Sequence, residues 1–107
     1  MSALVKRNVN FIRLLADKIT KAQLKAIINT ISRDQLKALI EITYNIVHLN
    51  IPISKANKEK LLRRSRILKS LVDRTKSQRK VLKIVKANHT TVAIIAQAAL
   101  PALLTLL

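Results

Sequence analysis

The chain has 107 residues, a net charge of +16, half of its side chains apolar, and neither glycine nor cysteine. That length suits one domain with a modest core, and the apolar content is too high for the disorder of a charged, hydrophobe-poor chain. Without cysteine there are no disulfides or thiolate metal sites. Without glycine there is no phosphate-cradling loop of the Walker or dinucleotide type, and left-handed turn positions fall to asparagine or are avoided.

Apolar residues recur at helical spacing from the start and no useful stretch alternates, so the sequence predicts an all-α fold. The opening MSALVKRNVNFIRLL lacks the continuous apolar run of a secretory signal, which favours cytosolic or nuclear synthesis. Leu4, Phe11, Ile12 and Leu15 share one face of a first helix that should stop between Ala16 and Ile19. Thr20 and Gln23 have capping-box spacing and open a second helix, with Leu24, Ile27, Ile28 and Ile31 on one side. The phrase TKAQLKAII at 20–28 returns as SRDQLKALI at 32–40, where Ser32 and Gln35 form a second box. Two copies are too few for a solenoid, so the echo reads as a short helix, a turn and a longer helix. That third helix should run from Arg33 to His48 or Leu49. Its Leu36, Leu39, Ile40, Ile42, Ile46 and Val47 cover more than one stripe, which predicts burial in the middle of the domain.

Pro52 ends the third helix by pushing Ile51 out of α geometry, and Ser54 is placed to cap the next. A fourth helix over 55–72 is expected to turn Leu61, Leu62, Leu68 and Val72 inward. Thr75 and Gln78 form a third capping-box pattern, opening a fifth helix over 76–87 with Gln78, Val81, Leu82 and Val85 inward. On its outer side Lys76, Arg79, Lys83 and Lys86 would make a continuous cationic ridge. A break is expected at residues 88–91, followed by an apolar helix that Pro101 should kink or end. The expected organisation is thus a three-helix region at 1–50, a basic helical pair at 54–88 and an apolar C-terminal helix at 90–107, joined in one compact domain.

Charge is sorted along this plan. Residues 55–86 hold 13 Lys/Arg against Glu59 and Asp73, whereas residues 87–107 carry no charged side chain. Such cation density exceeds what solubility requires and points to a polyanion. The candidate contacts are Lys60, Arg63, Arg64, Arg66, Arg74, Lys76, Arg79, Lys80, Lys83 and Lys86. With one Phe and one Tyr, both outside this stretch, base stacking has little to work with, so binding should be to phosphate and without sequence preference. For the tail, three readings stay open: a core helix, an oligomer contact, or a membrane-active or anchoring segment through Val92, Ile94, Ile95, Leu100, Leu103, Leu104 and Leu107. In the membrane reading the basic block binds anionic lipid and the protein is membrane-associated. The five acids show no catalytic or metal-caging spacing, and His48 and His89 lack a second ligand at metal spacing. A non-enzymatic protein without cofactor or metal is expected.

The helical N-terminal region, the Pro/Ser turn, the block KEKLLRRSRILKSLVDRTKSQRKVLKIV at 58–85 and the PALLTLL ending resemble small basic proteins of Maverick/Polinton and adintovirus-type elements, which are similar to the minor core protein of adenoviruses. The resemblance covers residues 15–107 and departs at 87–91, where ANHTT stands in place of a Gly-Gly-Phe-like start to the tail. It implies a virion component, in the particle or the host nucleus, that packs double-stranded DNA through the 55–86 cations and meets capsid protein or membrane through 92–107. It brings no catalytic residues.

Overall fold

A computed structural model describes residues 2–105 as eight helices joined by short turns, with no strand among them. The helices are α1 (Ala3–Arg7), α2 (Val9–Ala16), α3 (Lys21–Asn29), α4 (Arg33–Val47), α5 (Lys55–Leu62), α6 (Ser65–Leu71), α7 (Gln78–Ala87) and α8 (His89–Thr105). The all-α class therefore holds, while the count exceeds the five-plus-one read from the sequence, because two expected helices are each divided.

The first division falls at Asn8. Its side-chain amide donates to the Leu4 carbonyl at 2.8 Å, occupying an acceptor the next turn would need, and its backbone leaves helical geometry at φ −106° and ψ 15° before α2 begins. The second falls at Arg63 and Arg64, where the Arg64 guanidinium donates to the Lys60 carbonyl at 3.3 Å and the backbone leaves helical geometry. This break lets the two halves follow different neighbours: α5 lies on α8, whereas α6 lies on α4 and α7. Leu61, Leu68 and Leu71 reach the core as a result, but Leu62 is left 66% exposed instead of turning inward.

Helix starts follow the hydroxyl caps. Thr20 with Gln23 and Ser32 with Gln35 close complete capping boxes, each side chain satisfying the other residue's backbone N–H. Ser54 caps α5 by accepting from the Asn57 N–H. The expected Thr75 box does not form. Asp73 accepts from both the N–H and the hydroxyl of Thr75, at 2.9 and 2.7 Å, so Ser77 becomes the cap of α7 by accepting from Lys80. Moving the start by two residues leaves Gln78 in the first turn, exposed and not inward.

The end of α4 departs most from expectation. Leu49 adopts φ 56°, the left-handed region, and is the residue with positive φ among those described. Leu49 N–H donates to Ile46 and Asn50 N–H to Asn45, the paired bonds of a Schellman ending with leucine where glycine usually sits. Neither Asn takes the left-handed place, and a leucine there costs about 1–2 kcal/mol.

At the centre is α8, which lies against α2, α3, α4, α5 and α7. Its Val92, Ile94, Ile95, Ala96, Ala98, Ala99, Ala102 and Leu103 are all buried. α4, expected in the middle, is buried along one broad side against α1, α6 and α8. Thr43, fully buried on α4, satisfies its hydroxyl by donating to the Leu39 carbonyl at 2.8 Å. Pro101 lies inside α8 without ending it. The carbonyl it deprives of a partner belongs to Gln97, and both residues lie on the exposed side, where water can serve that oxygen. All three expected regions contribute to one continuous core, and the radius of gyration, 12.5 Å, matches the roughly 13 Å of a compact domain this size.

Candidate nucleic-acid interface

α7 builds the clearest part of the basic surface. Ser77 fixes its start, Val81 and Val85 anchor it in the core, and this rotation turns Arg79, Lys83 and Lys86 outward along one stripe with Lys80 beside it. All four are exposed and have no side-chain partner among the described residues. On α5 and α6, and at the turn between them, Lys60, Arg63 and Arg66 are likewise exposed and unpaired.

Three of the ten expected contacts are already engaged. Lys76 precedes α7, is half-buried, and pairs with Asp73 at 3.2 Å, the one ion pair among the described residues. It therefore does not belong to the ridge, which runs Arg79, Lys83, Lys86. Arg64 is partly buried and turned onto the Lys60 carbonyl. Arg74 lies with its guanidinium carbon 5.9 Å from the centre of the Tyr44 ring, within cation–π range. Tyr44 in turn meets the His48 ring at 4.2 Å. Tyr44 thus joins the edge of the basic surface although it is remote in sequence, a juxtaposition that no spacing within 55–86 announces. Phe11, the other aromatic, is buried.

Five acids against 21 Lys/Arg leave most of this charge uncompensated. Thr75 hydrogen bonds, helped by Lys76, hold the Asp73 carboxyl down at about 2, and Glu41 accepts from the backbone and hydroxyl of Ser2. Among the described residues no group of His, Asp or Glu could hold a metal ion. Comparison with protein-family models, curated proteins and solved structures found no match.

Of the tail residues expected to meet a membrane or a second copy, Val92, Ile94, Ile95 and Leu103 face the core, Leu100 is half-buried and Leu104 is exposed. Leu107 lies outside the described residues. Among those residues no single helix is long and apolar enough to cross a membrane; α7 and α8, the pair that together reach that length, are bent by 95° at Asn88. At this bend the Asn88 amide donates to the Ile84 carbonyl at 2.8 Å, as the Asn8 amide donates to the Leu4 carbonyl between α1 and α2.

Proposed function

We propose that this protein is a non-enzymatic core protein that binds the phosphate backbone of double-stranded DNA without sequence preference. The observation that carries the reading is the outward stripe of Arg79, Lys83 and Lys86 on α7, flanked by Lys80, with Lys60, Arg63 and Arg66 as further cations on α5, α6 and the turn between them, all exposed and unpaired. Unpaired cations held on rigid helices release counterions from the duplex without first breaking internal salt bridges. Little is offered for reading bases: the one exposed aromatic, Tyr44, already carries Arg74 and His48. The likeness of the 58–85 block to virus-like core proteins supplies the setting, a particle in which DNA must be condensed whatever its sequence.

The burial of α8 favours this reading over membrane insertion through the tail. Exposing Val92, Ile95 and Leu103 to lipid would take them from the centre of the domain and dismantle the fold. The test is a salt titration of binding to a random-sequence duplex of about 30 base pairs. With six to eight phosphate contacts, affinity should fall by roughly 10³ or more between 50 and 200 mM salt, equally for unrelated sequences. Salt-insensitive binding, or preference for one sequence, would refute the proposal.

A further inference from the structure

Away from the α7 ridge, α4, α5 and α6 enclose an apolar groove of about 350 Å³, a size within the roughly 300–1,000 Å³ of small-molecule sites. Its floor is Ile46, Leu61 and Leu68, all buried, and its mouth is formed by Leu49 and Leu62. These two are the most exposed large apolar side chains described, at 68% and 66%. Leu49 owes its place to the left-handed backbone at the end of α4, so the chain tolerates strain and keeps a leucine out in water at this mouth. Polar groups gather on the α6 side. Ser65 and Lys69 line the groove and also line an adjoining shallow depression with Arg66 and Ser70. Asp73, the acid of that depression, is taken up by Thr75 and Lys76, which leaves the depression cationic.

We propose that the groove binds a single-chain anionic amphiphile, its alkyl chain lying between Leu49 and Leu62 and its phosphate or carboxylate head resting on Lys69 and Arg66. The complementarity runs in two parts: an aliphatic trough offers nothing to hydrogen-bond along most of its lining, and Lys69 and Arg66 collect with two hydroxyls on the α6 side, with Lys58 of α5 a further cation at the rim. A second copy of the chain fits poorly, because each copy carries +16 and Lys58 and Lys69 stand at the rim. Duplex DNA has no apolar segment to fill the trough.

The test uses the full chain with decyl phosphate below its micelle concentration, followed by calorimetry and by methyl NMR. Inorganic phosphate serves as the head alone and decyltrimethylammonium as the tail with reversed charge. Decyl phosphate should bind one per chain, at least about tenfold more tightly than either control, and shift the methyl signals of Ile46, Ile53 and Leu68. Leu49→Asn combined with Leu62→Asn should weaken it by about tenfold or more while leaving Tm unchanged or raised, since asparagine suits the left-handed position better than leucine. Duplex affinity should not change in that variant, which separates this site from the ridge. Leu14→Asn, at another exposed leucine on α2, should bind as the parent does. Binding that never saturates, that survives the double substitution, or that Leu14→Asn weakens equally would overturn the assignment. So would a fall in sedimenting mass on substituting Leu49 and Leu62, which would make the groove a contact between copies.

Discussion

α7 and α8 are consecutive helices separated by one asparagine, and they divide the work of the chain between them. α7 buries Val81 and Val85 and gives its outer side to cations; α8 has no charge and buries most of its side chains, with Gln97, Pro101 and Leu104 left on its exposed side. The difference shows how a chain with one Phe and no Trp can still carry a charge of +16. Its core is gathered on one apolar helix that five others surround, so the helices around it can present cations without losing their anchor. Each large aliphatic side chain buried on α8 contributes about 1.5–3 kcal/mol. Val92, Ile94, Ile95 and Leu103 together therefore supply an amount comparable with the 5–15 kcal/mol net stability of a typical domain.

Breaking the α8 side of the comparison should have the largest effect. Ile95 is fully buried, and Ile95→Ala should lower the unfolding free energy by about 2–5 kcal/mol, read as a fall in urea midpoint at unchanged slope. Truncation after Lys86 should abolish cooperative unfolding. A truncated chain that still unfolded cooperatively would show that α8 is an appendage and that the other helices make their own core.

On the α7 side, neutralising Arg79, Lys80, Lys83 and Lys86 to Gln should leave the urea midpoint nearly unchanged, because all four are exposed and unpaired. Duplex binding should respond instead: the slope of log affinity against log salt should become shallower by about 0.9 per lost contact, or ~3.6 for four. An unchanged slope would move the interface to another surface. The same substitutions at Arg64, Arg74 and Lys76 should change the slope less, since each of those cations is already engaged.

Ser77 sharpens the contrast in a smaller way, since it fixes where α7 begins. Ser77→Ala removes the acceptor for the Lys80 N–H and should cost ~1 kcal/mol, with faster hydrogen exchange confined to the first turn of α7. Exchange rising equally in α8 would mean that the two helices open as one unit.

Much of this division was legible in the sequence where a local group decides the structure. Thr20, Ser32 and Ser54 start helices as their spacing indicates, and Pro52 separates α4 from α5. Legibility fails where two local groups compete. Thr75 and Ser77 both stand at the head of a plausible helix, and the hydrogen bonds from Thr75 to Asp73 settle the matter. It fails again at Asn8 and Arg64, where a short amide and a long guanidinium each reach back to a carbonyl four residues earlier and divide helices without proline or glycine. The uniform apolarity of α8 carries no period, so nothing local distinguishes a core helix from a membrane segment; its neighbours in three dimensions do. For the basic surface, the segment could be read from charge density, but not which cations are engaged. The groove was hidden for the same reason, because its mouth joins Leu49 in a left-handed turn to Leu62 at a helix break.

The smallest expected effect ties the turn before α7 to the ridge upon it. Hydrogen bonds from Thr75 and the contact with Lys76 lower the Asp73 carboxyl from 3.8 to about 2. A carboxyl lowered by folding stabilises the fold when ionised, so its contribution is fully present above about pH 4 and is lost as pH falls through about 2. Asp73→Asn should therefore lower stability slightly at neutral pH and remove part of the acid dependence in that window, as urea titrations from pH 5 to pH 2 would measure. The same change releases Lys76 from its ion pair at the foot of α7. If Lys76 then reaches phosphate, the salt slope should steepen by about 0.9. A steeper slope with a weaker turn would mean that Asp73 holds a cation back from the duplex in exchange for fixing the start of α7. A slope that stays the same would place the duplex beyond the reach of Lys76, towards the Lys86 end of the ridge.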